Sequence, residues 1–160
     1  TVVPGRRVDD DASAMLRLSN GAVVTLTVSQ VCVGDENDLS IRVHGETGSL
    51  RWRQENPNEL EYRRLDGMRQ VVTRGSPSSG GTAQRATRLP PGHPEGFIEA
   101  FATLYKDVAA AVLGRRRGAG GNSGRAAFPT VHDGLRGVEF VEWMRASAKA
   151  GGWVSRPPSA

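Results

Sequence analysis

Three histidines and one cysteine are the side chains of this sequence best suited to acid–base, nucleophilic or metal chemistry. His44, His93, His132 and Cys32 form neither an i, i+4 histidine pair nor a C-x-x-C, so no dedicated metal site is expected. His93 is the most suggestive. It sits in Pro90-Pro91-Gly92-His93-Pro94-Glu95, where prolines restrict the backbone and a helix start just downstream offers free amides, so its imidazole is a candidate ligand contact. His44 alternates with the apolar face of a strand and reads as a surface or interface residue, and His132 in a first helical turn as solvent-facing. Lys106 and Lys149, the only lysines, lie among charges on helical patterns, which argues against a catalytic lysine. No G-x-S-x-G elbow supplies a serine nucleophile. Asp9-Asp10-Asp11 reads as a solvated run of like charge, and nothing singles out a carboxylate pair for glycoside chemistry.

Gly118-Ala119-Gly120-Gly121-Asn122-Ser123-Gly124 has the composition of a dinucleotide fingerprint without its setting. A working G-x-G-x-x-G follows a buried strand and opens a helix, so that backbone amides and the helix dipole meet the pyrophosphate. Here arginines precede it, Ser123 takes the third glycine position and Pro129 separates it from the next helical pattern. It reads as a loop. The net charge of +4 invites a nucleic-acid reading, but the distribution opposes it. Residues 1–75 carry 10 arginines against 11 acidic residues, and the basic excess comes from Arg85 and Arg88 in one Gly/Ser/Pro-rich stretch and Arg115, Arg116, Arg117 and Arg125 in another. A phosphate-tracking surface needs its cations on a rigid element. No nucleic-acid partner is therefore expected. No run approaches the ~20 apolar residues of a membrane span and no secretory signal opens the chain, so a cytoplasmic location without membrane association is expected.

The elements that position these residues follow from periodicity. Between Asp9 and Arg74 apolar and polar residues alternate in short runs separated by Gly and Asn, which predicts about six antiparallel strands in meander order. Ala14, Leu16 and Leu18 lead into Asn20-Gly21, the dipeptide of a type I′ hairpin, and the return strand runs from Ala22 to about Val31 with Val24, Leu26 and Val28 on one face. Leu39, Ile41 and Val43, then Leu50 and Trp52 around Gly45-Glu46-Thr47-Gly48, then Leu60 and Tyr62, and finally Val71 and Val72, continue the pattern. Residues 75–92 read as a long surface loop. Phe97, Phe101, Leu104, Tyr105, Val108 and Val112 make an apolar stripe on a helix over Glu95–Leu113, closed by Gly114. Thr130-Val131-His132-Asp133 has capping-box form and opens a second helix whose stripe is Leu135, Val138, Val141, Met144 and Ala148, ended by Gly151-Gly152. Trp153-Val154 then fits a last short strand.

Strands followed by helices predict an α+β fold: a mostly antiparallel open sheet of about six strands with two main helices packed on one face, forming one domain over residues 1–160 around one hydrophobic core. At this length roughly 70% of the unfolded surface is expected to be buried. The other sheet face, with Thr25, Thr27, Ser29, Arg42 and Arg51, suits water, a partner surface or a ligand.

Four segments in order resemble the C-terminal domain of the glucose–fructose oxidoreductase and inositol dehydrogenase (Gfo/Idh/MocA) family. Val8-Asp9-Asp10-Asp11-Ala12-Ser13-Ala14-Met15-Leu16-Arg17-Leu18-Ser19-Asn20-Gly21-Ala22 is similar to its "D-D-x-A-x-x-x-L-R-F-x-N-G-A" opening, and Val43-His44-Gly45-Glu46-Thr47-Gly48-Ser49-Leu50 to its "I-x-G-x-x-G-S-L" hairpin. Pro129-Thr130-Val131-His132-Asp133-Gly134-Leu135-Arg136 resembles its "P-x-x-x-D-G-L-R" helix and Gly152-Trp153-Val154 its ending. The resemblance implies a two-domain NAD(P)-dependent oxidoreductase acting on a sugar, inositol or related hydroxylated compound. This chain would be its substrate and oligomerisation domain, forming a homodimer or tetramer through the open sheet face. The glycine fingerprint, the E-K-P lysine and the D-x-x-x-H pair of the family are absent from the sequence, so no catalytic residue transfers, no NAD or NADP is expected to bind this chain, and the N-terminal dinucleotide-binding domain is expected to lie outside it. With Thr1 as its first residue, the chain is expected to be an inactive piece of a longer enzyme. By the same resemblance Ser29, Gln30 and His93 are the candidate substrate contacts. The alternative is a self-contained, sheet-mediated interaction module without redox activity.

Overall fold

The structure, a computed structural model, describes residues 4–5, 7–116 and 128–155. The elements are β1 (Asp11–Arg17), β2 (Val23–Ser29), β3 (Ser40–His44), β4 (Gly48–Arg53), β5 (Glu59–Arg64), β6 (Arg69–Thr73), α1 (Gly81–Ala86), α2 (Phe97–Arg116) and α3 (Val131–Ala150). Every strand pairing is antiparallel and the class is α+β, as the order of strands and helices requires. The six strands make two sheets, β1-β2 and β3-β4-β5-β6, where one open sheet was expected. The reason lies between Ser29 and Ser40. That stretch is polar and turn-rich, with positive φ at Gly34 and Asp38, so no alternating pattern carries the ladder from β2 to β3. The chain divides into two compact units, Thr1–Asp35 with Val131–Ala160, and Glu36–Thr130.

In the first unit the hairpin register puts Leu16 opposite Val24, Ala14 opposite Leu26 and Ala12 opposite Val28, so the apolar residues share a face as their spacing dictates. The turn differs from the type I′ expectation, because Gly21 has positive φ and Asn20 does not. Leu18 accepts from the Gly21 N–H (2.9 Å) and donates to Ala22 (2.9 Å), and Asn20 Oδ1 accepts from the Ala22 N–H (3.1 Å). A three-residue loop ending in a left-handed glycine therefore closes the hairpin. α3 begins directly after Thr130, carries Asp133 in its first turn and ends at Ala150, where Gly151 at φ +62° takes the left-handed stop. Trp153-Val154 is not a strand; the Trp153 ring instead lies beneath the Arg17 guanidinium, 5.7 Å from its centroid.

In the second unit the sheet has two unlike faces. Val43, Leu50 and Tyr62 share one with Ile41, Trp52, Leu60 and Val72, while Arg42, Arg51 and Glu61 lie on the other with Ser49, Arg63 and Arg69. Glu61 accepts from Arg69 (2.8 Å) and Arg63 (3.4 Å). Burial acts to raise its carboxyl, but these two guanidiniums outweigh burial and hold it below the usual carboxylate range. The stretch read as an uninterrupted loop contains α1, favoured by Ala, Gln and Arg at 83–86. α2 runs through Gly114 to Arg116, so Gly114 does not end it and Arg115 and Arg116 are helical; residues 118–124 lie outside the described residues.

Among the described residues none is buried, so the single core that composition implied is not formed by them. Both helical stripes exist and both stay exposed: Phe97, Phe101, Tyr105, Val108 and Val112 on α2, and Leu135, Val138 and Val141 on α3. A sheet layer and a helix each bury an apolar face only against a further layer. On α2 the aromatics stack among themselves, with Phe97 and Phe101 centroids 4.6 Å apart.

Candidate functional site

The segment 88–95 carries the histidine singled out above, and its shape is set by contacts from distant parts of the chain. Pro90-Pro91-Gly92-His93 is a turn closed by the His93 N–H donating to the Pro90 carbonyl (3.2 Å). Proline at its second position and glycine at φ +84° at its third are what a type II turn requires. Arg74, just past β6, spreads its guanidinium into this segment. Nη1 donates to the Leu89 carbonyl (2.9 Å) and to Glu95 Oε1 (2.8 Å), and Nη2 to the carbonyls of Pro90 (3.4 Å) and His93. Nε donates to Asn58 Oδ1 (2.8 Å). Glu95 Oε1 also accepts from the Arg88 N–H (2.7 Å) and the Leu89 N–H (2.5 Å).

Asn58 completes the clasp. Its Oδ1 accepts from the Glu95 N–H (3.0 Å) and its Nδ2 donates to the Glu95 carbonyl (2.9 Å), so the side chain pairs with Glu95 as a neighbouring strand would. Glu95 is thereby kept out of the helix, which starts at Phe97, two residues later than the periodicity predicts. Gly75, at φ +74°, passes close to Pro91: a Cβ there would meet Pro91 Cγ at 3.2 Å. Conformation and space both require glycine at this position.

Glu99 fixes the helix start. Its carboxylate accepts from the Gly96 N–H (2.8 Å), the reciprocal half of a capping box. That backbone hydrogen bond and then the Glu99 amide hold its carboxyl below the ordinary value of 4.5 against the opposing effect of burial, with a lesser contribution from the charges of Arg88 and Arg74. A carboxyl lowered in the folded state stabilises fully above 4.5 and loses that contribution as pH falls through the lowered folded value. Helicity followed by circular dichroism during acid titration is therefore expected to fall as pH drops through the lowered Glu99 value, and Glu99→Gln is expected to remove that part of the slope. An unchanged acid profile in E99Q would refute the capping role.

The candidate contacts fall into separate groups. Ser29 and Gln30 stand together at the end of β2 in the first unit. Ser29 Oγ accepts from the Val31 N–H (3.2 Å) and the Gln30 N–H donates to the Asp10 carbonyl (2.7 Å), while the Gln30 side chain is exposed. His93 belongs to the second unit with Arg74, Asn58 and Glu95; its imidazole is exposed and makes no hydrogen bond among the described residues. The sequence singles out His93 as a candidate through its prolines but does not single out the clasp. The signal was faint, an Asn after Pro57, an Arg before a glycine and a Glu before a helix.

Other groupings are less apt for chemistry. An open depression of about 300 Å³ is lined by His44, Glu46, Ser49, Arg63, Arg64 and Leu65, but Arg63 is engaged by Glu61 and Arg64 by both oxygens of Asp66 at 2.9 Å. Among the described residues no three His, Cys, Asp or Glu side chains converge as a metal site would require. Every strand pair being antiparallel, the described residues contain no βαβ unit of the dinucleotide-binding kind.

The family model described as "Oxidoreductase family, C-terminal alpha/beta domain" matches residues 1–155. A Bacillus subtilis (strain 168) protein, "Uncharacterized oxidoreductase YfiI", is 30% identical over 148 residues, 92% of this chain and 38% of that protein. An oxidoreductase from Sinorhizobium meliloti is 36% identical with a TM-score of 0.84, over 97% of this chain and 44% of that one. An inositol dehydrogenase homolog from Azotobacter vinelandii, complexed with NADH and myo-inositol, is 34% identical with a TM-score of 0.88, over 94% of this chain and 40% of that one. The chain thus spans less than half the length of each of these relatives.

Proposed function

The chain belongs to the Gfo/Idh/MocA oxidoreductase family as its C-terminal alpha/beta domain, and from that premise we propose that it is the substrate-binding and oligomerisation part of an NAD(P)-dependent oxidoreductase acting on a sugar, inositol or related hydroxylated compound. The observation that carries this reading is the likeness to the Azotobacter vinelandii protein, whose complex holds NADH and myo-inositol. The hydroxyl of Ser29 and the amide of Gln30 in the first unit, and the imidazole of His93 in the second, are each able to donate and accept hydrogen bonds, the chemistry that recognises a polyol hydroxyl. The described residues contain no dinucleotide-binding βαβ unit, which supports a part in the reaction of binding and orienting the hydroxylated substrate. The nicotinamide belongs to the rest of the cytoplasmic enzyme.

Self-association through the open sheet face, as a homodimer or tetramer, is the second half of the proposal. Arg42 and Arg51 stand directly opposite each other on β3 and β4, and although Arg51 faces Glu61 on β5, that carboxylate is taken by Arg63 and Arg69, so among the described residues neither Arg42 nor Arg51 is ion-paired. Like charges so placed repel, a cost that a covering surface bearing carboxylates offsets.

Titration calorimetry of this chain with NAD(H) and NADP(H) is expected to give no tight binding, and a dehydrogenase assay with myo-inositol no turnover; a micromolar Kd for either nucleotide overturns the reading. Light scattering should return a mass above that of one chain, and a monomer at high concentration counts against the oligomerisation half.

A further inference from the structure

We propose that Arg74 is the positioning residue of the substrate-contact segment, acting through His93 without touching substrate itself. This deepens the reading above and rests on it. Arg74 is far from His93 in sequence, yet its guanidinium takes the carbonyls of Leu89, Pro90 and His93 at once. Its charge is met by Glu95, and its Nε is fixed by Asn58. Only 16% of the Arg74 side chain and 8% of the Glu95 side chain are exposed, whereas in every other side-chain ion pair of the described residues the cation is at least 50% exposed.

Such a pair is held in one geometry by its surroundings, and a planar fork with donors on every side is the only common side chain that can bind three carbonyls and a carboxylate together. Lysine would keep the charge and lose the fork. The bonds on the His93 carbonyl and amide restrain that residue's backbone, while its imidazole stays exposed for a partner outside the described residues. A side chain on a pre-set backbone binds without paying the ordering entropy a mobile loop would pay. Arg74 is thus placed to set substrate affinity at one remove.

Two measurements on the intact enzyme test this. Hydrogen exchange of the 88–96 peptide should quicken at least about tenfold in Arg74→Lys, since the amides of Arg88, Leu89 and His93 lose the frame that protects them; unchanged exchange overturns the positioning role. Steady-state kinetics with myo-inositol should show kcat/KM about tenfold lower in R74K, carried by KM, and R74K should add nothing in an H93A background. Additive losses, with H93A itself impaired, overturn the role of Arg74 and leave His93 as a substrate contact. A flat KM in H93A, or no activity of the parent enzyme on any sugar or polyol, overturns the substrate reading and this inference with it. Glu95→Gln, which keeps an oxygen for the two amides and removes only the charge, provides the same cycle should R74K fail to fold, and additivity of E95Q with H93A is equally damaging.

Discussion

Replacing Glu95 with alanine is expected to destabilise the Glu36–Thr130 unit by about 3 kcal/mol, the largest effect of any single substitution on the described residues. The loss has three parts. The Arg88 and Leu89 amides lose their acceptor, and the Arg74 guanidinium, 16% exposed, is left without its counter-charge. A half-buried cation facing only carbonyls is worse than no cation, which gives the sign of a second result: R74A in the E95A background should cost less than the two single losses together. Urea denaturation read by circular dichroism should place the E95A midpoint about 1–2 M below wild type. A shift within error would mean that the clasp adds nothing to the fold.

Gly48→Ala should cost about 2–3 kcal/mol, while Gly45→Ala, in the same hairpin, should cost far less. A Cβ at Gly48 would sit 2.6 Å from the Arg63 carbonyl oxygen and 3.3 Å from Tyr62 Cε2. The first of these is backbone of the paired strand, so relief requires β4 and β5 to separate at the end where Gly48 faces Arg64. At Gly45 the nearest atom is the Gly48 carbonyl oxygen at 3.6 Å, an ordinary contact. Equal losses at the two positions would show that turn entropy, and not strand approach, makes these glycines necessary. The second glycine of the hairpin segment that resembles the family thereby has a steric reason.

How much was legible in the sequence depends on the range of the interaction that decides each element. The apolar faces of β1 and β2 were legible because Ala14 and Leu16, and Val24 and Leu26, declare them by alternation alone, but the register was not: a two-residue Asn20-Gly21 turn sets Leu16 opposite Thr25, one residue from the Val24 that it faces. The stripes of α2 and α3 were legible for the same local reason. What failed was decided elsewhere in the chain or by a subtle turn. Glu95 reads as helical until Asn58, 37 residues away, takes its amide and carbonyl. Asn20-Gly21 fits two hairpin loops, and the choice turns on Ser19 joining the loop. α1 was hidden by the glycines and serines around it. In the candidate site, His93 announced itself through neighbouring prolines, but Arg74, Asn58 and Glu95 each look like ordinary surface residues, and only long-range pairing gives them a shared task.

The uncovered stripes of α2 and α3 carry a calorimetric consequence. The heat-capacity increment of unfolding tracks apolar area withdrawn from water, so a chain whose Phe97, Tyr105, Leu135 and Val138 stay wet has little of that increment to release on its own. The missing increment belongs to whatever event dries those residues. Where that event is the self-association proposed above, melting and dissociation would register as one concentration-dependent transition, and the thermogram of the associated form would exceed the sum of its separated parts.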